Sequence, residues 1–179
     1  MSTPAAADTT PPLMRQACAG LADEIERYLD RHRAVLEATI ARGGEESGSA
    51  ASQRLAKVYD GMLSFLLSAV EAVATRHGTW APSSMAAVGS YGRGALAVHS
   101  DLDVRLLCAG PREVAGTIAQ TLLYPMWDAG LAVGHQVVDV DEMVELARVD
   151  LPTATSLLDW RHVAGRAGMA DGMLGRVFE

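Results

Sequence analysis

Apolar side chains recur every three to four residues through the first part of the chain, which is the spacing of helices with one buried face. One such stripe covers residues 13–42, and a second covers residues 51–76, where Gly78 can end the helix. The polar, glycine-rich stretch 43–52 between them predicts a loop. The pattern predicts two antiparallel helices, preceded by a mobile tail over residues 1–12, which lack any apolar period.

Beyond Gly78, short apolar segments with a period of two alternate with helical segments. The expected order is a strand near 84–88, a strand at 101–108, a helix over 111–129 kinked at Pro125, a strand at 131–140, a short helix capped by Asp141 that ends near Val149, and two short helices over 150–178 split near 165–168. This order predicts an α+β fold with a small mixed sheet flanked by helices. The expected organisation is a tail (1–12), an N-terminal helical pair (13–78), a core (79–149) and a C-terminal helical segment (150–179).

The most specific chemistry lies in a glycine-rich turn that is followed by two aspartates. Residues 89–94 read Gly-Ser-Tyr-Gly-Arg-Gly, and Asp101 and Asp103 follow after a short spacer. Glycines let the backbone approach an anion closely, and consecutive amides of such a turn can hold phosphate oxygens, with Ser90 adding a hydroxyl. Residues i and i+2 of a strand share one face, so two carboxylates can bind Mg²⁺ together. The spacing predicts a site for a metal-bound nucleoside triphosphate, with Gly89, Ser90 and the amides up to Gly94 near its β- and γ-phosphates.

Composition narrows the class of protein. The chain has 179 residues, a net charge of −7 and 49% apolar residues, which indicates a folded core. Lys57 is the single lysine and the arginines are scattered, so an extended nucleic-acid surface is not expected. Cys18 and Cys108 do not form a disulfide framework and are expected to be reduced. Because no signal peptide or long apolar run is evident, the chain is expected to be cytoplasmic, with no membrane partner.

A family resemblance rests on these motifs. Gly89-Ser90 followed by Ser100-Asp101-Leu102-Asp103 resembles the signature of the nucleotidyltransferase superfamily, which includes polymerase β and the aminoglycoside nucleotidyltransferases. Two longer stretches resemble the nucleotidyltransferase domain of bacterial PII uridylyltransferases: Val-Gly-Ser-Tyr-Gly-Arg-Gly-Ala-Leu at 88–96 and Leu-Tyr-Pro-Met-Trp-Asp-Ala-Gly-Leu-Ala-Val-Gly-His at 123–135. Residues 150–165 resemble the helical segment that follows in those enzymes. The similarity covers roughly residues 50–178. It implies a sheet of the nucleotidyltransferase type and Mg²⁺, with two ions allowed, as cofactor.

The same resemblance implies a reaction. A nucleoside monophosphate would move from UTP, or from ATP, to an acceptor hydroxyl, and pyrophosphate would leave. The implied acceptor is a tyrosine of a PII-type regulatory protein. Three other readings stay open: a nucleotide-binding regulatory module without turnover, a stand-alone transferase acting on another protein or a small molecule, and a helical interaction protein that docks a partner or forms a homo-oligomer. Relatives of this type continue into further domains, so the chain could be a fragment.

Several residues have competing interpretations. Asp139, near the end of the third strand, is the best positional candidate for a third catalytic carboxylate, although it could instead be a turn residue. Arg105 departs from the family pattern; it could clamp a triphosphate, pair with Asp103, or mark a site that binds without turnover. Arg93 and Ser100 match the family motif, Arg93 as a phosphate contact or a structural group. His135 is expected to be a strand-end residue, and no ligand spacing for zinc is present.

Overall fold

The structure is a computed structural model that describes residues 20–42 and 48–178. Outside the described residues lie the predicted tail, the predicted start of the first helix at 13–19 and residues 43–47 of the predicted loop. The elements are α1 (Leu21–Arg42), α2 (Ser49–Arg76), β1 (Ser83–Ala87), α3 (Gly89–Gly92), β2 (Leu102–Cys108), α4 (Arg112–Asp128), β3 (Val133–Val138), α5 (Val140–Val149), α6 (Leu151–Leu157), β4 (Arg161–Gly165) and α7 (Gly168–Phe178). The α+β class and the two N-terminal helices are confirmed.

The four strands form one mixed sheet in the order β3-β2-β1-β4. β1 is antiparallel to both β2 and β4, whereas β2 and β3 are parallel. The parallel pair is joined by α4, as a crossover connection requires. The turn that contains α3 connects the two central strands, β1 and β2. It therefore lies at the end of the sheet where β1 finishes and β2 begins, near the middle of that end.

β4 corrects the prediction of two helices over residues 150–178. Residues 161–165 pair with β1, with Ser84 opposite Gly165 and Ala87 opposite Arg161. Gly165 has a φ of 80°, and a Cβ at this position would overlap with the carbonyl oxygen of Ser83. A segment this short has no helical or strand period of its own, and the free edge of β1 determines its conformation.

The two faces of the sheet pack differently. One face, which includes Leu102, Val104 and Leu106, packs against α1, α2 and α4 in the main hydrophobic core. On the other face, Leu107 and Val138 join a smaller cluster with α5, α6 and α7, whose further buried members are Met143, Val144, Leu157, Ala170 and Met173. The predicted alternation along β2 is therefore confirmed. Asp103 lies on the same face as Leu107, but near the start of β2, beside the turn that contains α3.

α2 is the long helix of the main core. By length and composition it could span a membrane, but its apolar side, from Ala51 to Ala74, is buried against the rest of the protein. The same helix carries Lys57 and Asp60, and Asp60 is bound by Arg161 of β4. A core helix accounts for this composition.

Asp139, and not Asp141, caps α5. The Asp139 side chain accepts a hydrogen bond of 2.8 Å from the Glu142 backbone N–H. Asp141 lies in the first turn, where its carboxylate pairs with Arg176 of α7 at 2.6 Å. Either aspartate could cap a helix N-terminus. The helix begins earlier than predicted because β3 ends at Val138, which makes Asp139 the first residue after the strand.

Candidate active site

Asp103 lies between two glycines. A Cβ at Gly89, the first residue of α3, would lie 3.2 Å from Oδ2 of Asp103. A Cβ at Gly134, the residue opposite Asp103 on β3, would overlap with Oδ1. The carboxylate thus occupies space that side chains would fill at either neighbouring position, and the absence of those side chains keeps it accessible.

The glycine turn presents its backbone donors beside this carboxylate. Val88 donates its N–H to the Asp103 carbonyl oxygen at 3.0 Å, which ties the start of the turn to β2. The bonds of the turn begin with Gly92 N–H to Val88 O and Arg93 N–H to Gly89 O. Within the described part of the chain, the N–H groups of Gly89, Ser90 and Tyr91 have no acceptor. Free donors next to a carboxylate are the combination that a metal-bound phosphate requires.

Asp101 is exposed and lies immediately before β2. The amide of Leu102 is bonded to Ala132 O at 2.9 Å, so the chain is already paired with the segment before β3 at this point. Strand alternation places Asp101 on the same side as Asp103. Mg²⁺ takes one or two carboxylates and completes its coordination with phosphate oxygens and water, so these two residues fit the ion.

Ser100 and Arg93 have structural partners. Oγ of Ser100 accepts a hydrogen bond from the Ala97 N–H at 3.0 Å and closes the loop before Asp101. The guanidinium of Arg93 forms an ion pair with Asp159. Gly94, with a φ of 67°, lets the chain leave the turn in a left-handed conformation. In this structure these predicted nucleotide-binding residues shape the turn and its exit.

The hydrogen bonds of Arg105 go to partners other than Asp103. Its Nη1 donates to Val104 O and its Nη2 to Oγ of Ser156 in α6, both at 3.2 Å. Among the described residues it forms no ion pair with Asp103, and its buried Nε has no acceptor. Burial lowers the pKa of Arg105, and the charge of Asp103 partly offsets this effect. The hypothesis that Arg105 neutralises Asp103 through a direct pair is therefore not supported by these contacts.

The structure does not bring Asp139 to the two acids. Gly134 pairs with Asp103, and Asp139 follows five residues later along the chain, beyond the end of β3. At the rise of a strand this separation is about 16 Å. Asp139 caps α5 in this structure, and its catalytic role stays a prediction that this placement does not favour. The β3 residues that share the face of Asp103 are Gly134, Gln136 and Val138, so this strand supplies no third carboxylate.

Among the described residues, protein side chains alone do not form a metal site. The described residues contain no group of three or more His, Cys, Asp or Glu side chains placed to hold a metal ion. His135 is exposed, and its ring packs against Trp127 with centroids 5.5 Å apart. A divalent ion at Asp101 and Asp103 would therefore depend on substrate oxygens for much of its coordination.

The far side of the turn is held by residues that the sequence did not single out. Arg161 of β4 donates to both oxygens of Asp60 in α2, at 2.7 and 3.0 Å. The hydroxyl of Tyr91 donates to Oδ1 of Asp60 at 2.8 Å. We call these three residues, Asp60, Tyr91 and Arg161, the Asp60 cluster. Two signals were available: Tyr91 lies inside the glycine motif, and Arg161 lies inside the stretch 150–165 that carries the family resemblance.

Comparison with known proteins places these features in context. No protein-family model matches the chain. A bifunctional uridylyltransferase/uridylyl-removing enzyme of Bradyrhizobium sp. (strain BTAi1 / ATCC BAA-1182) is 32% identical over 160 residues, which are 85% of this chain and 16% of that protein. The enzyme of the same name from Rhodopseudomonas palustris is 34% identical over 151 residues, which are 81% of this chain and 16% of that protein.

A third relative from Bradyrhizobium diazoefficiens, with the same name, is 31% identical over 164 residues. The matched residues are 87% of this chain and 17% of that protein. The chain thus spans about a sixth of the length of the curated relatives it matches. It is similar to a segment of bifunctional uridylyltransferase/uridylyl-removing enzymes, which confirms the resemblance that its motifs predict.

Proposed function

We propose that the chain is a Mg²⁺-dependent nucleotidyltransferase. It moves a nucleoside monophosphate from UTP or ATP to an acceptor hydroxyl. The observation that supports this proposal most strongly is the placement of the Asp103 carboxylate where a Cβ at Gly89 would approach it, since Gly89 is the first residue of a turn whose leading N–H groups are free among the described residues. The names of the relatives, all uridylyltransferases, favour the same chemistry.

Each part of the site has a role in this reaction. Asp101 and Asp103 hold Mg²⁺, which neutralises charge on the triphosphate when bound. The N–H groups of Gly89, Ser90 and Tyr91 donate to the β- and γ-phosphate oxygens. The acceptor hydroxyl gives up its proton to solvent as its oxygen forms a bond to the α-phosphorus. The bond from that phosphorus to the β-phosphate oxygen breaks, and pyrophosphate leaves with the electron pair.

The acceptor we propose is a tyrosine hydroxyl on a PII-type regulatory protein. This choice follows from the resemblance to PII uridylyltransferases and from the similarity of most of the chain to uridylyltransferases. The net charge of −7 agrees with a protein acceptor rather than a nucleic acid, because phosphate backbones bind clustered cations. Transfer to another protein or to a small molecule would use the same metal and triphosphate sites.

One observation favours a second candidate function, a nucleotide-binding module without turnover. Position 134, opposite Asp103, is glycine, and the β3 residues on this face include no carboxylate to serve as a base or to complete a second metal site. Arg105, which could reach toward a triphosphate, is hydrogen-bonded to Ser156 of α6 instead. Such a module would bind the Mg²⁺ triphosphate and release no pyrophosphate.

The test is incubation of the protein with each of the four radiolabelled triphosphates, with and without Mg²⁺, in the presence of a purified PII-type protein. Transfer predicts Mg²⁺-dependent pyrophosphate release and label on the acceptor for UTP or ATP. Binding without release, measured by titration calorimetry, would support the module instead. No binding of any triphosphate in the presence of Mg²⁺ would contradict both functions. Label that appears on other macromolecules in a host lysate, and not on the PII-type protein, would move the acceptor to another class.

A further inference from the structure

Three separate elements meet behind the glycine turn. Asp60 comes from the middle of α2, Tyr91 from α3 and Arg161 from the first position of β4. Besides its two bonds to Asp60, Arg161 donates Nε to Gly92 O at 3.0 Å and Nη2 to Tyr91 O at 3.2 Å. The Asp60 cluster therefore binds the turn both through its backbone and through its one aromatic side chain.

The bonds from Arg161 reach the carbonyl end of the turn. Its guanidinium satisfies the carbonyl oxygens of Tyr91 and Gly92, while the N–H groups at the other end, beside Asp103, are free among the described residues. The turn contains only four helical residues, too few to be stable alone. Contacts from outside must therefore fix the direction in which its N–H groups point.

Tyr91 and Arg161 keep their protonation states over a wide range of pH. Burial, and then the neighbouring charge of Asp60, raise the pKa of Tyr91 far above its usual value, so its hydroxyl remains a donor. Burial alone would lower the pKa of Arg161, but the hydrogen bonds and charge of Asp60 outweigh this and raise it. The guanidinium also lies over the ring of Tyr91, 5.3 Å from its centroid. Tyr91 therefore stays protonated and Arg161 stays charged near neutral pH.

We propose that Asp60, Tyr91 and Arg161 are positioning residues that hold the glycine turn in the conformation that binds triphosphate. The proposal rests on the proposed function, because it assigns the turn to phosphate binding. Donors that are already oriented bind an anion without a further ordering cost, so the cluster contributes to affinity without touching the ligand. A purely structural cluster, which only fastens β4 to α2, would contribute to folding stability alone.

The test uses two mild substitutions and a matched control in the full chain. Tyr91→Phe removes one hydroxyl and leaves Asp60 paired with Arg161. Arg161→Lys keeps the positive charge but loses the paired bonds to Asp60 and the bond from Nε. Arg176→Lys is the control, because Arg176 pairs with Asp141 on α5, away from the turn. Each protein is titrated with Mg²⁺ and non-hydrolysable UTP and ATP analogues, and its melting temperature is measured.

We expect Arg161→Lys to weaken analogue binding by about 10- to 100-fold, the usual effect of removing a support behind a ligand site. Tyr91→Phe should weaken it less, by about 3- to 10-fold, because a single hydrogen bond is lost. Arg176→Lys should bind as the wild type does. Amide hydrogen exchange without nucleotide gives a second readout: the N–H groups of Gly92 and Arg93 should exchange at least about 10-fold faster in Arg161→Lys, while those of α4 stay unchanged.

The outcomes separate this proposal from the proposed function. If the wild type binds the analogue and Arg161→Lys binds equally well with a lowered melting temperature, the cluster is structural and the proposal is wrong, whereas the nucleotide site stands. If the wild type binds no analogue but Arg161→Lys still speeds exchange at Gly92 and Arg93, the cluster holds the turn and the nucleotide function fails. Unchanged exchange and unchanged affinity would overturn the positioning role completely.

Discussion

The two ends of one sheet face differ in what lies beside β2. At one end, Leu107 is fully buried with Val138 under α5, α6 and α7. At the other end of the same two strands, Asp103 has Gly134 in the position opposite it and Gly89 above it. Side chains close the first end and their absence leaves the second accessible. One pair of strands is thus closed by side chains at one end and accessible at the other, over a distance of a few residues.

The largest expected effect is on turnover at the accessible end. Asp103→Asn keeps the size of the side chain but removes a charge that would hold Mg²⁺, and loss of about 4 kcal/mol of charge stabilisation lowers the rate by roughly 10³-fold. Pyrophosphate release with saturating UTP or ATP and Mg²⁺ measures it. Because none of the ion pairs among the described residues involves Asp103, the melting temperature of this variant should be close to that of the wild type. A variant that retains full turnover would remove Asp103 from the mechanism.

The closed end should show the opposite behaviour. Leu107→Ala removes a fully buried side chain, and substitutions of this kind cost about 2–5 kcal/mol of unfolding free energy. Urea denaturation measures this loss, and Val138→Ala offers a milder version at the same end. The folded fraction should bind the Mg²⁺ triphosphate analogue as the wild type does. A change in affinity larger than the change in folded fraction would show that the two ends are coupled.

An intermediate effect is expected at Gly134, the β3 residue opposite Asp103. Gly134→Ala places a Cβ where Oδ1 of Asp103 now lies, so the carboxylate must move. We expect the apparent affinity for Mg²⁺ in the presence of the analogue to fall by about 10-fold or more, with a modest loss of stability. Gly116→Ala in α4 is the control, because a Cβ there meets nothing within 4 Å. Equal Mg²⁺ affinity in both variants would mean that the position of Asp103 does not matter.

Local sequence patterns were sufficient to predict the elements whose conformation depends on residues close to one another along the chain. The apolar face of β2 and the two long helices follow from their periods, and the contact of Asp103 with the glycine turn follows from a spacing of about a dozen residues. β4 could not be predicted, because residues 161–165 become a strand only by pairing with β1. From the sequence alone, Asp60 is expected on the solvent-exposed side of α2. Its partner Arg161 lies 101 residues further along the chain. Long-range pairing of this kind leaves no local pattern.

The smallest expected effect is just beyond the closed end, where β3 leads into α5. Asp139→Ala removes the acceptor of the Glu142 N–H, and loss of such a cap costs about 1 kcal/mol. Asp141→Ala is the matched control: it removes an exposed acid whose ion pair with Arg176 contributes at most about 1 kcal/mol and usually less. Both variants should transfer nucleotide at the wild-type rate, because Asp139 lies about 16 Å along the sheet from Asp103. If Asp139→Ala lost turnover while its unfolding free energy stayed near that of Asp141→Ala, Asp139 would act in the reaction despite its distance, and the separation of the two ends would fail.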